Sequence, residues 1–232
     1  MSEKRALLLV GSPKVQGSTS EALGSYLLGR LGALGFATAS LHVGRLLRTP
    51  DGAQSLRREV ACSTLVVIST PLYVDSLPAP LTAALEILAP GMAGADGAGR
   101  ERPGLLAIVN SGFPEAHQND TALAICRLFA RQAGFRWLGG LPLGGGEVVG
   151  GRPLEKAGGV ARLLRQALNL AAESIAAGAE VPAEAVRLMA RPLVPRWLYI
   201  LIGEMGWRRL ARRNGVRRML RARPYEEADI SE

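Results

Sequence analysis

Short apolar runs alternate with longer stretches of mixed polarity along the first three quarters of the chain. The short runs are apolar throughout rather than at every second position, which is typical of parallel strands buried on both faces. They predict five strands, at residues 6–10, 37–43, 64–69, 105–110 and 137–143. Helices fill the gaps between the strands, and cap and stop residues such as Gly35, Gly134 and Gly178 place five of them at residues 18–34, 53–61, 79–88, 121–133 and 154–177.

This alternation predicts an α/β fold with three layers, in which helices cover both faces of one sheet. Right-handed crossovers between parallel strands leave few topologies to consider. The flavodoxin-like strand order 2-1-3-4-5 brings the loops after strands 1, 3 and 4 to one crevice. We therefore predict a doubly wound, parallel, five-stranded sheet in a domain over residues 1–180, followed by a basic, helical C-terminal extension over residues 181–232.

The loop after the first strand is rich in hydroxyl groups, and residues 11–20 read GSPKVQGSTS. A helix N-terminus presents N–H donors with partial positive charge, and Ser and Thr add further donors. Five residues separate Gly11 from Gly17 and no Lys follows, so the loop is not a Walker A loop, and it lacks the spacing of a dinucleotide fingerprint. Two interpretations remain open. One is a cradle for the phosphate of a mononucleotide, and the other is a plain N-capped turn in which Ser18 and Glu21 form a capping box.

Two further loops reach the same crevice in this topology. The loop after strand 3, residues 70–78, reads TPLYVDSLP and offers Leu72 and Tyr73 as apolar walls, although a turn between prolines with Tyr73 in the core is the alternative. The loop after strand 4 reads NSGFPE at residues 110–115, and Gly112 permits close approach of backbone to a ligand. Three glycines at 144–146 either border the crevice or form a loose turn.

Three groups of residues resemble a known family. They are GSPK with GST in the first loop, PLY with Ser76 in the second, and NSGFPE in the third. Together and in this order they are similar to the flavodoxin-like NADPH-dependent FMN reductase and NAD(P)H:quinone oxidoreductase superfamily, over residues 5 to 175. The resemblance implies that the FMN phosphate is held by Ser12, Lys14, Gly17, Ser18, Thr19 and Ser20. It implies that the isoalloxazine is bordered by Pro71, Leu72, Tyr73, Val74, Asp75, Ser76, Asn110, Ser111, Gly112 and Phe113.

Four positions depart from the pattern of that family. Lys14 stands where Arg is frequent, and Ser18 stands where Asn is frequent. Val74 replaces an aromatic residue of many relatives, which removes a stacking wall. Asp75 stands where Gly is common, and a carboxylate beside the flavin opposes negative charge on the reduced ring.

The resemblance implies an FMN-dependent oxidoreductase that passes electrons from NAD(P)H to a small acceptor such as a quinone, a flavin or a nitro or azo compound. The cofactor carries this chemistry, so no catalytic side chain is expected, in keeping with a chain whose two histidines are His42 and His117. The family likeness also favours a homodimer. Two alternatives remain. One is a flavodoxin-type electron carrier, although such carriers are usually acidic and this chain is not. The other is a flavin-free membrane-associated or regulatory protein that retains the fold.

The net charge of +8 is concentrated near the C-terminus, because residues 187–223 contain eleven arginines and one acid, Glu204. Arginine pairs alternate there with apolar residues and with Trp197, Tyr199 and Trp207, which are typical of membrane interfaces. The segment is too short and interrupted to span a bilayer. Three interpretations compete: packing on the domain or across a dimer, peripheral association with an anionic membrane through residues 193–221, and nucleic-acid binding. The last is least favoured because no recognised binding module accompanies the charge.

The chain has two cysteines, Cys62 and Cys126, which lie far apart and near no other metal ligand. This spacing indicates neither a disulfide framework nor a zinc site. The N-terminal apolar run is too short for a signal peptide. We therefore expect a cytoplasmic protein without a metal centre, and peripheral membrane association stays one of the three interpretations of the C-terminal segment.

Overall fold

The computed structural model describes residues 4–14, 16–92 and 102–223, and for residues 91 and 92 the backbone alone. The chain forms two compact units, Met1–Leu193 and Val194–Glu232.

The first unit is built on one parallel sheet. Its five strands are β1 (Arg5–Val10), β2 (Ala37–His42), β3 (Leu65–Pro71), β4 (Gly104–Asn110) and β5 (Arg136–Leu143). They are ordered β2-β1-β3-β4-β5, and every neighbouring pair is parallel. The predicted α/β class and the strand order 2-1-3-4-5 are confirmed.

Helices cover both faces of this sheet. They are α1 (Thr19–Ala33), α2 (Val43–Leu46), α3 (Gly52–Ala61), α4 (Ala79–Met92), α5 (Asp120–Gln132), α6 (Arg162–Ala176) and α7 (Ala183–Met189). One core packs α1, α6 and α7 on the sheet, and the other packs α2 to α5 on the opposite face. Along β1, Leu8 enters the first core while Leu7 and Leu9 enter the second. Strands buried on both faces therefore read as continuous apolar runs.

Two helix boundaries and the end of the first unit differ by four residues or more from those expected from the sequence. Helix α4 continues to Met92, past Pro90; because this proline lies in the last turn, its missing N–H removes one hydrogen bond near the end of the helix and none from the turns before it. Helix α6 begins at Arg162, because the preceding residues form turns and a short 3₁₀ helix at Gly158–Ala161. Helix α7 belongs to the first unit, since Ala185 and Met189 are fully buried in its core, so this unit ends after Leu193 rather than at residue 180.

The second unit contains helix α8 (Arg196–Arg213) and a 3₁₀ turn at Arg217–Met219. The apolar residues of α8 are concentrated in its N-terminal half, where residues 197–202 read WLYILI, and its arginine pairs lie in the C-terminal half. Within the part of the chain that the structure describes, no helix is both long and apolar enough to cross a membrane.

Candidate functional site

A cavity of about 310 Å³ opens where β1, β3, β4 and β5 end at their carboxyl ends. This is the edge at which doubly wound sheets bind ligands. Twelve of the sixteen residues predicted for the site line it: Ser12, Lys14, Gly17, Ser18, Thr19, Ser20, Pro71, Leu72, Tyr73, Asn110, Ser111 and Gly112. The structure places the other four, Val74, Asp75, Ser76 and Phe113, outside the cavity wall.

The loop after β1 presents the N-terminus of α1 to the cavity. Ser18 is the N-cap, with extended backbone, and its Oγ accepts the N–H of Glu21 at 3.0 Å. Ser12 Oγ accepts the N–H of Lys14 at 3.2 Å. Both serines are nearly buried, so their side chains have fixed positions. The loop is thus an N-capped turn that also forms part of the cavity wall.

The carboxylate of Glu21 completes the capping box by an unusual route. It accepts the backbone N–H of Gly17 at 2.9 Å, one residue before the N-cap. Gly17 lines the cavity. A backbone donor suited to an anionic ligand is therefore occupied by an anion of the protein itself.

The hydroxyl groups of Thr19 and Ser20 join the loops to one another. Thr19 Oγ1 donates to the carbonyl oxygen of Gly146 at 2.9 Å, and Ser20 Oγ donates to Asn110 Oδ1 at 2.7 Å. Each hydroxyl hydrogen is thereby used within the protein. In and beside the first loop, no acceptor among the described residues is assigned to the hydroxyls of Ser12 and Ser18 or to the first N–H groups of α1, and the Lys14 ammonium lies beside them.

The loop after β3 turns sharply away from the cavity. Tyr73 and Ser76 exchange two backbone hydrogen bonds of 2.9 Å, and the residues between them, Val74 and Asp75, have positive φ angles of 49° and 54°. A two-residue turn with both φ angles positive is of the type that favours Asn and Gly, and it strains a β-branched residue. Val74 is 99% exposed at its tip. The turn geometry explains why these residues leave the wall that Tyr73 still lines.

The fully buried side chain of Asn119 holds the loop after β4 in place through hydrogen bonds. Its Nδ2 donates to the carbonyl oxygens of Ala116 at 3.0 Å and Leu143 at 3.1 Å. The N–H of Ser111 also donates to the Leu143 oxygen, at 3.0 Å, so the loop extends the sheet. Phe113 points outward and is 52% exposed.

Neither histidine lines the cavity. His42 Nε2 lies 2.9 Å from the carbonyl oxygen of Lys14 and so ties the end of β2 to the first loop. Burial raises the pKa of the Cys126 thiol to about 12, so this thiol stays protonated and is no nucleophile. Among residues 4–14, 16–92 and 102–223 there is no cluster of His, Cys, Asp and Glu suited to a metal ion.

The sequence reasoning missed most of the fourth wall, which follows β5 and contains Gly146, Glu147, Gly150 and Gly151. A Cβ on Gly151 would lie 1.8 Å from the carbonyl oxygen of Gly17, and its φ is +68°, so only glycine fits this contact between two loops. The signal in the sequence is the five glycines between residues 144 and 151, and the run at 144–146 is only its first part. Glu147 adds a carboxylate, with Oε1 3.6 Å from the place of a Cβ on Gly112.

The donor set of the cavity suits FMN. Hydroxyls, backbone N–H groups at a helix N-terminus and an ammonium group lie together at one end, as a phosphate requires. Pro71, Leu72 and Tyr73 form an apolar wall at the end of β3, and Asn110 to Gly112 supply backbone and amide groups beside it, as a planar heterocycle requires.

Comparisons with known proteins agree with this geometry. The model of the family described as NADPH-dependent FMN reductase matches residues 5–148. No curated protein matches the chain in sequence.

Solved structures share the fold at low sequence identity. An NAD(P)H:quinone oxidoreductase from Methanothermobacter marburgensis is 12% identical, with a TM-score of 0.57 over 74% of this chain and 96% of the other. An FMN-dependent NADH-azoreductase from Bacillus anthracis is 15% identical, with a TM-score of 0.56 over 75% and 100%. An apo NADH:FMN oxidoreductase is 18% identical, with a TM-score of 0.56 over 83% and 97%. Because the family model covers more than half of the chain, the protein belongs to the NADPH-dependent FMN reductase family and is an oxidoreductase that uses FMN and NAD(P)H.

Proposed function

We propose that this oxidoreductase passes electrons from NAD(P)H to a small, planar acceptor that enters the same cavity, such as a quinone, a flavin or a nitro or azo compound. One observation carries the proposal: donors for a phosphate lie at one end of a cavity whose other end has an apolar wall. The half-exposed ring of Tyr73 at that wall offers a planar acceptor an aromatic contact.

In this proposal the chain holds and orients its cofactor and supplies no acid or base. The phosphate is held by Ser12, Lys14 and Ser18 together with the first N–H groups of α1, whose dipole favours negative charge. Thr19 and Ser20 act indirectly, by fixing α1 to Gly146 and Asn110. When bound, FMN supplies the hydride chemistry itself.

The remaining predicted residues have a different role in the proposal. Val74 and Asp75 stand on a strained turn outside the wall, and Phe113 is exposed beside the neighbouring loop. The exposed apolar side chains of Val74 and Phe113 near the cavity mouth support a homodimer with the turn as part of the interface. Sedimentation velocity of the full chain tests this: the wild type should be dimeric and Val74→Lys monomeric, and a monomeric wild type contradicts the dimer.

The function is tested on the FMN-loaded full chain under anaerobic conditions. NADPH or NADH should bleach the flavin absorbance, and a quinone or azo dye added afterwards should restore it within the steady-state turnover time. Rapid reoxidation by a protein electron acceptor, with slow reduction by both nicotinamide nucleotides, would instead identify an electron carrier. A folded chain that takes up no FMN would contradict both.

A further inference from the structure

The second unit exposes an unusual amount of apolar surface. Between residues 194 and 223 the only buried side chain is Ala211, while Trp197 is 68% exposed and Trp207 is 75% exposed. Ile202, Met205 and Met219 are also more than half exposed. Large exposed apolar side chains concentrated in one segment of thirty residues are typical of an interaction site rather than of an ordinary protein surface.

The same segment is strongly basic, and charge and apolarity are separated along the helix axis. Trp197 to Trp207 span roughly 16 Å of helix at 1.5 Å per residue, about half of a bilayer's hydrocarbon thickness. Arginine pairs follow at 208–209, 212–213 and 217–218. The single acid, Glu204, is bonded to Arg208 at 3.2 Å and leaves the excess of positive charge almost intact.

Few partners satisfy both properties. A parallel second copy of the segment would bring two sets of arginines together, which is repulsive. An antiparallel copy would set the arginines of each segment against the apolar half of the other, where Glu204 is the only acid to pair with them. A nucleic acid would neutralise the arginines but would leave the tryptophans and isoleucines in water. An anionic lipid surface takes the apolar half into the boundary of headgroups and acyl chains and places the arginines among lipid phosphates.

We propose that residues 194–223 bind the surface of an anionic membrane, with the Trp197–Trp207 half of α8 in the interface and the arginines that follow on the headgroups. The binding recruits the oxidoreductase to a surface where apolar acceptors concentrate. That last consequence rests on the proposed function, whereas the binding itself does not.

The test is sedimentation of the full chain with vesicles of phosphatidylcholine alone and of phosphatidylcholine with phosphatidylglycerol. The protein should bind the anionic vesicles at low salt, bind neutral ones weakly, and dissociate as the salt concentration rises. The double variant Arg212→Gln/Arg213→Gln should weaken binding about 30-fold, since each basic side chain near such a surface contributes about a factor of five. The matched control, Arg127→Gln/Arg131→Gln, removes the same charge from the exposed face of α5 and should bind like the wild type.

Tryptophan fluorescence reports the apolar half of the contact. Trp137→Phe leaves Trp197 and Trp207 as the only tryptophans of the chain, and anionic vesicles should shift their emission to shorter wavelength. Equal loss of binding in both double variants, equal binding to neutral vesicles, or no vesicle binding at low salt would overturn the proposal. So would RNA binding or self-association without any lipid response. These assays need neither FMN nor NADPH, so their failure leaves the proposed reductase function intact.

Discussion

The carboxylate of Glu21 should weaken FMN binding, and replacing it by Gln should strengthen that binding. Glu21 accepts the N–H of Gly17 at 2.9 Å inside the cavity wall, where a phosphate would otherwise be the acceptor. Gln keeps an amide oxygen for this N–H and is as suitable in a capping box, so the fold should be unchanged. The substitution removes only the negative charge.

The size of the effect depends on how strongly solvent screens the repulsion between the Glu21 carboxylate and the phosphate. Two like charges about 4 Å apart repel by about 1 kcal/mol in bulk water and by about 4 kcal/mol near a protein surface. Gly17 is exposed and Glu21 is partly exposed, so the aqueous value applies. The dissociation constant for FMN should therefore fall about fivefold in Glu21→Gln, since 1.4 kcal/mol corresponds to a factor of ten.

Flavin fluorescence titrations measure this effect with FMN and with riboflavin, which lacks the phosphate. Riboflavin affinity should be the same in the wild type and in Glu21→Gln. The control Glu86→Gln makes the same change of net charge on the exposed side of α4 and should alter neither ligand. An unchanged FMN affinity in Glu21→Gln, or equal tightening for both ligands, would show that no phosphate lies near Gly17.

Three further substitutions test other walls of the cavity. Gly151→Ala puts a Cβ 1.8 Å from the Gly17 carbonyl oxygen, so a titration should show weaker binding of both FMN and riboflavin. The control Gly159→Ala, whose Cβ has no neighbour within 4 Å, should leave both affinities unchanged. Val74→Asn should raise the unfolding free energy by about 1 kcal/mol and the Tm by about 2–4 °C. Asn tolerates the positive φ of this position, and the side chain of Val74 is 99% exposed, so no packing is lost. A lower Tm of the variant in calorimetry would show that the backbone at Val74 is not strained. Glu147→Gln should raise the reduction potential of bound FMN by about 10–30 mV in a dye equilibration, since a carboxylate disfavours negative charge on the reduced ring, and an unchanged potential would place Glu147 away from it.

The sheet could be predicted from the sequence because its strands are buried on both faces. The apolar runs at residues 6–10 and 105–110 differ from β1 and β4 by one residue at one end. The loops after β1, β3 and β4 could be placed for the same reason, since strand order determines which carboxyl ends are neighbours.

The site could be predicted only in part, because its details depend on backbone angles and on contacts distant in sequence. No pattern shows that Val74 and Asp75 adopt positive φ angles and turn away from the cavity. Likewise, Gly151 is needed only because Gly17 lies against it, far away along the chain. The sequence predicts that the first unit ends at residue 180, just after its fifth helix, because the burial of Met189 in the core is a tertiary contact that no local pattern shows.

If the cavity holds FMN with its phosphate at the N-terminus of α1, a negative charge placed at that N-terminus should weaken the binding of FMN but not of riboflavin. Ser18→Asp preserves the N-cap, because Asp caps helices as well as Ser does, and adds a negative charge among the phosphate donors. Ser25→Asp adds the same charge at an exposed position of the same helix. Titration should show FMN affinity reduced at least tenfold in Ser18→Asp alone, with riboflavin affinity retained in both variants. Equal FMN affinity in the two variants, or an equal loss of affinity for FMN and riboflavin in Ser18→Asp, would show that the phosphate does not lie at the N-terminus of α1.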